Sequence, residues 1–144
     1  MKIVINTCYG KFGLSAKGIK KYLNLKGQNV WFYQKTKYRY IDGVNEYIQV
    51  SEDNITGMFW YASLVDEGHI IDHFPNICFD SQSIERYDPT LVQVVEEMKE
   101  ECWGDNAVLA IEEIESGTWY KINQHDGKES IEYAFFDGEW QLAK

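Results

Sequence analysis

The 144-residue chain has two prolines, three cysteines and no apolar run near the roughly 20 residues that a membrane-spanning helix needs. Its start, MKIVIN, lacks the long apolar region of a secretory signal. Cys8, Cys78 and Cys102 are odd in number and widely spaced, which is typical of reduced intracellular thiols rather than a disulfide framework. These absences predict a soluble, cytoplasmic protein with no membrane partner.

Basic residues are scarce, 14 against 23 acidic ones, and they are unevenly distributed. Residues 1–50 contain nine Lys and Arg against two acids, whereas residues 51–144 contain five against twenty-one. The acidic surplus argues against DNA or RNA as a direct ligand, because phosphates repel it. Two interpretations stay open: a basic end on an acidic molecule, or two parts that fold together and partly neutralise each other.

Hydrophobic residues (44%) and aromatic ones (15%) are typical of a folded protein. Residues 2–7 form a β-branched apolar run that predicts a buried strand, and residues 29–34 predict a second strand. Between them, Ser15 is a good N-cap and Gly27 a good C-terminal residue for a helix. The opening therefore predicts a strand, a helix and a strand.

The remainder predicts one further long helix and several hairpins. Asp88-Pro89 begins the helix and Gly104 ends it. Asp42-Gly43 and Asp126-Gly127 are turn sequences flanked by strand-like segments, and Asp137-Gly138 precedes a last strand. Residues 107–114 predict another strand, whereas residues 51–87 predict mostly loop with a short strand near 58–64. The fold class is a single α+β domain over residues 1–144 that ends in an antiparallel β-meander.

The segment NTCYGKFGLS joins the first strand to the first helix, where main-chain N–H groups and the helix dipole attract anions. It matches neither GxGxxG nor a P-loop, so a structural turn stays an alternative. Candidate ligand-binding residues are Thr7, Cys8, Tyr9, Gly10, Lys11, Gly13, Ser15 and Lys17, with Arg39 from the aromatic and basic segment that follows.

Cys8 is the candidate nucleophile if the protein is an enzyme, because a thiol near a helix N-terminus and lysines is activated. It would need a base, and the sequence assigns none of the three histidines to it. His69, Asp72, His73 and Cys78 have some metal-ligand character, but Pro75 interrupts a helix there and no HExxH or paired CxxC exists. We predict no metal and no cofactor.

The second helix carries an acidic face that includes Glu96, Glu97, Glu100 and Glu101. Such a face is either a solvated surface or a docking surface whose carboxylates compete with nucleic acid for a basic channel. The aromatic residues at 31–33, 38, 40, 47 and 59–61 form a core, an interface or a stacking site for a base.

Three segments together carry a resemblance: INTCYGKFGLS, ERYDPTLVQVVEEM and IEEIESGTWYKINQHDGKESIEY. They resemble a family of small uncharacterised proteins of bacteriophages and prophages, in which the first segment reads INTCYGGFGLS. Lys11 stands where that family has a second glycine. The resemblance implies a small accessory protein in the infected host cell, a class rich in proteins that counter host defences.

The leading hypothesis is a phage-encoded, acidic, non-enzymatic protein that inhibits a host antiviral defence component through a surface that mimics nucleic acid. The alternative is a sponge that sequesters a nucleotide second messenger at residues 7–15. A Cys8-dependent enzyme is a second alternative. The partner is accordingly a host defence protein or a small nucleotide, and a homo-oligomer stays open.

Overall fold

The computed structural model describes residues 1–36, 46–57, 59–134 and 141–144, and the chain folds as two compact units. The first unit joins Met1–Gly18 to Ser81–Lys144, and the second is Ile19–Asp80. Neither helix within these described ranges is long and apolar enough to cross a membrane. The elements, in chain order, are β1 (Lys2–Asn6), α1 (Ala16–Leu25), β2 (Trp31–Lys35), β3 (Tyr47–Val50), β4 (Trp60–Ser63), β5 (Ile70–Ile71), β6 (Cys78–Phe79), α2 (Pro89–Met98), β7 (Leu109–Glu113), β8 (Trp119–His125), β9 (Lys128–Ala134) and β10 (Gln141–Leu142).

The predicted α+β class is confirmed, since the described residues contain two α-helices and ten strands, and the pairings of these strands are antiparallel. The strand, helix and strand of the opening are β1, α1 and β2. The C-terminal antiparallel strands are β8, β9 and β10. That the whole of 1–144 forms one domain stays a prediction.

In the first unit, β1 and β7 form a two-stranded sheet with α2 on one face and a buried cluster on the other. Ile3 and Ile5 point into the cluster, which includes Ile114 and Tyr120. Lys2 is exposed and Val4 is fully buried on the opposite face, because neighbouring strand residues alternate between faces. The small sheet is therefore covered on both sides.

The C-terminal sheet has the order β10, β8, β9. Asp126 and Gly127 connect β8 to β9 with φ of 49° and 84°, as a two-residue hairpin turn of the predicted kind requires. The last strand, β10, lies along the free side of β8, where Gln141 is opposite Tyr120. Residues 135–140, which include the predicted Asp137-Gly138 turn, lie outside the described residues.

The predicted caps of α1 are present. Ser15 Oγ accepts the N–H of Gly18 at 3.1 Å, which satisfies a free donor of the first turn. At the other end Gly27 has φ of 77°, and the N–H of Gln28 donates to Leu23 O at 2.8 Å. Glycine suits this position because it enters the left-handed region without strain.

Helix α2 begins as predicted, with the Asp88 carboxylate accepting the Thr90 N–H at 2.8 Å and Pro89 in the first turn. It ends earlier than predicted, at Met98, because Lys99 takes a φ of 54° and a 3-10 turn follows over Lys99–Cys102. This turn buries Cys102 completely. The apolar periodicity continued through Cys102 even though the α-helix does not.

The second unit is built on a five-stranded antiparallel sheet of order β5, β3, β2, β4, β6. Its core contains Tyr33, Tyr47 and Ile71, with Trp31 and Tyr61 packed against them. Most of the aromatic residues in β2 and β3 are therefore core residues. Residues 37–45, between β2 and β3, lie outside the described residues. They include Lys37, Tyr38, Arg39 and Tyr40 and the predicted Asp42-Gly43 turn.

The segment 51–87 was predicted to be mostly loop with one strand near 58–64, and β4 occupies that place. Two additional strands, β5 and β6, have only two residues each and form the two edges of the sheet. Strands this short leave no alternation in the sequence, so tertiary pairing alone reveals them.

Candidate functional site

Asn6, at the end of β1, organises the loop that follows it. Its fully buried side chain accepts the Val108 N–H at 2.9 Å through Oδ1. Its Nδ2 donates to Cys8 O at 3.1 Å and to Gly127 O at 2.9 Å, and its own N–H donates to Glu129 Oε1 at 2.9 Å. One side chain therefore ties β1, the loop and the β8–β9 turn together.

Five main-chain N–H groups of the loop 7–15 donate to oxygens of the same unit. These hydrogen bonds matter for the predicted anion site, which would need free N–H donors. The N–H of Thr7 donates to Val108 O at 2.8 Å, Gly10 to Asp126 O at 3.0 Å, Lys11 to Asn106 O at 3.2 Å, Leu14 to Ser81 Oγ at 3.0 Å and Ser15 to Cys102 O at 2.9 Å. These five N–H groups are therefore already engaged within the protein and are not free to bind an anion.

Close approach explains Gly10 but not Gly13. A Cβ at Gly10 would overlap Asn106 O, whereas a Cβ at Gly13 would lie 3.8 Å from Ser81 Oγ, an ordinary contact distance. Gly13 O accepts the Gly104 N–H at 2.8 Å. The hydroxyls are also engaged, since Thr7 Oγ1 donates to Val108 O at 3.0 Å and Ser15 Oγ donates to Glu101 O at 2.6 Å. These loop residues hold the turn in place.

Three other side chains of the predicted site reach solvent: Tyr9, Lys11 and Lys17. Tyr9 is 66% exposed, and its ring meets the His125 ring edge-on at 6.3 Å between centroids. Lys128 Nζ lies 5.1 Å from the centre of the same ring. We call Tyr9, His125 and Lys128 the Tyr9 patch. Arg39, also predicted to bind ligand, lies outside the described residues.

Cys8 is half-buried, and its thiol lies 3.3 Å from Asn6 Oδ1 and 3.2 Å from Asn106 O. Both neighbours are hydrogen-bond acceptors with no basic character. Within the described part of the chain, the hydrogen bonds of Cys8 include no histidine or carboxylate that would act as its base. The geometry gives the thiol a structural role in the turn.

A buried ion pair between Arg86 and Glu129 packs against the loop through Phe12. The Arg86 guanidinium donates to both Glu129 oxygens at 3.2–3.3 Å, and both side chains are largely buried, at 15% and 6% exposed. Its centre lies 3.5 Å from the middle of the Phe12 ring, a cation–π distance. The pair connects the loop through Phe12 to β9 through Glu129.

The predicted partner-binding residues, Glu96, Glu97, Glu100 and Glu101, are all exposed, and we call them the acidic helix surface. Lys2 Nζ lies 3.1 Å from Glu96 Oε1, and Lys2 is directly opposite Glu113 in the β1–β7 register. Because cross-strand partners share a face, Glu113 lies on the side of the sheet that α2 covers. Glu96 of α2 and Glu113 of β7 thus lie on the same side of the sheet as Lys2.

Folding redistributes the charge that the sequence divided into halves. Lys2, Lys11 and Lys17 belong to the first unit, together with the acidic C-terminal residues. That unit contains eight Lys and Arg against fifteen Asp and Glu, and the second contains six against eight. The net charges are −7 and −2, so the basic start of the chain is partly neutralised within an acidic unit.

In the second unit, His73 lies between two carboxylates, with Nε2 3.2 Å from Glu67 Oε1 and Nδ1 3.2 Å from Asp72 Oδ1. Both hydrogen bonds raise the pKa of His73 above its usual 6.5. Glu67 also accepts the Asn76 N–H at 3.1 Å and its Nδ2 at 2.7 Å. Among the residues that the structure describes, no three His, Cys, Asp or Glu side chains form a metal-binding group.

Sequence reasoning missed Asn6, Asn106, His125 and Lys128 as neighbours of the loop. Asn6 carried a usable signal, since a polar residue that ends an apolar strand must satisfy its side chain if it is buried. The other three are about 100 residues away along the chain. The β1–β7 pairing brings Asn106, which lies just before β7, to the loop, and the packing of the β8–β9 turn brings His125 and Lys128.

Comparison with known proteins found no family model, no curated protein and no solved structure that matches this chain.

Proposed function

We propose that this protein is a phage-encoded, non-enzymatic inhibitor of a host antiviral defence component, and that it binds a basic, nucleic-acid-binding surface of that component through the acidic helix surface. The observation that carries the proposal is that all four glutamates are exposed, Glu96 and Glu97 at the end of α2 and Glu100 and Glu101 in the 3-10 turn that follows it. The phage origin and the defence target rest on the sequence resemblance.

The carboxylates have a setting that suits mimicry of phosphates. Helix α2 packs against β1 and β7, which gives the surface a rigid support. Glu113 adds a carboxylate from β7, and Lys2 pairs with one member of the surface, Glu96, without neutralising the group. A surface of closely spaced negative charges attracts a basic channel and speeds association at low salt.

The net charge of −7 on the first unit also favours association with a basic partner, because it creates a long-range negative potential. The same field repels DNA and RNA, which agrees with a protein partner rather than a nucleic acid. Salt should weaken the complex, since charge pairs between exposed groups are screened over about 8–10 Å at 0.1–0.15 M.

The test is capture of partners from lysate of the host, with the protein immobilised and duplex DNA added as competitor. We expect the captured protein to be displaced by DNA and to be lost when the four glutamates are changed to glutamine. The matched control removes four exposed carboxylates elsewhere in the same unit, namely Asp105→Asn, Glu115→Gln, Asp126→Asn and Glu132→Gln. Equal loss from both variants would mean that net charge, and not this surface, is responsible.

A second function is favoured by the Tyr9 patch. An exposed ring flanked by Lys128 and His125, with Lys11 two residues along, offers stacking for a base and positive charge for phosphates. This would make the loop 7–15 the site of a nucleotide second messenger that the protein sequesters. Thermal-shift assays with cyclic and linear nucleotides test it, and Tyr9→Ala should abolish any shift that appears.

A further inference from the structure

A cavity of about 600 Å³ lies in the first unit, at the N-terminal end of β1, whereas Asn6 ends the strand on the other side. Met1 and Tyr120 line it on the side of the buried cluster, and Tyr87 and Pro89 line it from the start of α2. The residues of β10 complete the lining. Its volume falls within the roughly 300–1,000 Å³ of small-molecule sites.

Flat and apolar groups dominate the lining. Tyr120 is 2% exposed and belongs to the cluster of Ile3, Ile5 and Ile114, against which Met1 also packs. Tyr87 is 45% exposed at the rim, next to the rigid ring of Pro89. Aromatic rings and a thioether are the groups that contact a planar ring favourably.

A hydrogen-bonding edge is built into this apolar lining. The Tyr120 hydroxyl donates to Gln141 Oε1 at 2.9 Å, so the amide oxygen of Gln141 is engaged while its Nε2 keeps donor capacity. Burial, Tyr87 and Glu85 raise the pKa of Tyr120, so the hydroxyl stays protonated at neutral pH. A glutamine amide beside a hydroxyl is complementary to a ring edge that carries both donors and acceptors.

The charges around the cavity have both signs. Lys144 lines it, and Glu85 is close enough to act on Tyr120. The Asp88 carboxylate, between the lining residues Tyr87 and Pro89, already accepts an N–H at the N-terminus of α2. Two carboxylates near the cavity and Lys144 in its lining thus give its surroundings no single sign of charge. This balance favours an uncharged ligand.

We propose that this cavity binds an uncharged planar heteroaromatic ring with a hydrogen-bonding edge, the chemistry of a nucleobase. The ring lies among Tyr87, Met1 and Leu142, and its edge meets Gln141 and the Tyr120 hydroxyl. The site is separate from the acidic helix surface and from the loop 7–15.

Protein-observed NMR titration with adenine and with uracil tests the proposal, with benzoate as an anion of similar size. We expect adenine or uracil to shift resonances at Tyr87, Tyr120 and β10, and benzoate to bind more weakly than either. Tyr87→Ala should weaken binding about tenfold through lost stacking. Gln141→Leu should weaken it roughly fivefold through the lost amide.

Phe74→Ala is the matched control, because it removes an aromatic ring that is 50% exposed, near the 45% of Tyr87, but belongs to the second unit and not to the cavity lining, so it should leave the affinity unchanged. Gln141 is exposed, so its variant keeps the fold, and the amide spectrum checks this directly. No shifts with either base up to its solubility would overturn the proposal. So would affinities that neither Tyr87→Ala nor Gln141→Leu changes. Neither outcome affects the function proposed for the acidic helix surface.

Discussion

Gly127, in the β8–β9 turn, and Gly10, in the loop after β1, pack backbone against backbone. A Cβ at Gly127 would overlap the carbonyl oxygen of Gly10, and the Gly10 N–H donates to Asp126 O at 3.0 Å. Two segments more than 100 residues apart in sequence thus share one contact with no room for a side chain. The shape of the candidate loop depends on this contact.

Gly127→Ala should therefore be strongly destabilising. Gly117 is the control, since its φ of 87° matches the 84° of Gly127 but no atom lies within 4 Å of a Cβ placed there. Gly117→Ala should cost about 1–2 kcal/mol, from the left-handed conformation alone. Urea unfolding should show a clearly larger loss for Gly127→Ala. Equal losses would show that backbone strain, and not the contact with Gly10, sets the cost.

Glu129→Gln should lower the free energy of unfolding by about 3–5 kcal/mol, because it leaves the buried Arg86 guanidinium without its carboxylate. The exposed pair of Lys2 and Glu96 is the comparison, and Glu96→Gln should change stability by less than about 0.5 kcal/mol. Chemical denaturation measures both. A loss for Glu129→Gln as small as that for Glu96→Gln would contradict the structural role of the buried pair.

Gly18→Ala should destabilise the protein, although alanine is about 1 kcal/mol more favourable than glycine inside a helix. A Cβ at Gly18 would lie 2.9 Å from Cys102 O and 3.0 Å from Cys102 Cβ, which is too close without a shift of the backbone. Thermal unfolding should give a lower Tm for the variant. A higher Tm would mean that the 3-10 turn moves aside at little cost.

His73 should make stability depend on pH. Its pKa is raised in the folded state by Glu67 and Asp72, so the charged form is favoured there. Charged His73 therefore adds to the free energy of unfolding. This stabilisation is complete below the unfolded pKa of about 6.5 and is lost as the pH rises through the higher pKa of the folded state. The stability difference between the wild type and His73→Gln should therefore shrink from pH 5.5 to 8.5, as measured by urea unfolding. His69→Gln serves as the control for removal of a histidine, and a difference independent of pH would contradict the prediction.

Cys102 should resist alkylation in the native protein. It is fully buried, and burial raises its thiol pKa to about 11, so almost no thiolate exists at pH 8. Cys78 is exposed and should react, although burial and Glu67 raise its pKa as well. Mass spectrometry after iodoacetamide treatment locates the label, and urea should make Cys102 reactive. Labelling of Cys102 in the native state would show that the 3-10 turn opens readily.

Local signals were sufficient wherever one residue type decides a backbone conformation. Asp88-Pro89 predicted the start of α2, Ser15 and Gly27 predicted the ends of α1, and Asp126-Gly127 predicted the second hairpin. Capping and turn preferences act over a few residues and need no knowledge of the rest of the chain. The same kind of reasoning extended α2 too far, since the periodicity runs on through Cys102 into a 3-10 turn.

The candidate loop was found from its own residues, but its contacts were not. Glycines between a strand and a helix suggested an anion site, whereas five N–H groups of the loop donate to oxygens of the protein. All five oxygens belong to residues 81–126, so their proximity to the loop is a property of the tertiary structure. The two-residue strands β5 and β6 were missed for the same reason.

The sequence by itself determined the α+β class, both caps of α1, the N-cap of α2, the second hairpin and the exposed glutamates of residues 96–101, because these depend on residue type and short-range spacing. Tertiary structure decided which charges share a unit, how the loop 7–15 satisfies its N–H groups, and where a cavity lies. Those features depend on contacts between residues distant in sequence, and burial and hydrogen bonding select such contacts only when the whole unit folds.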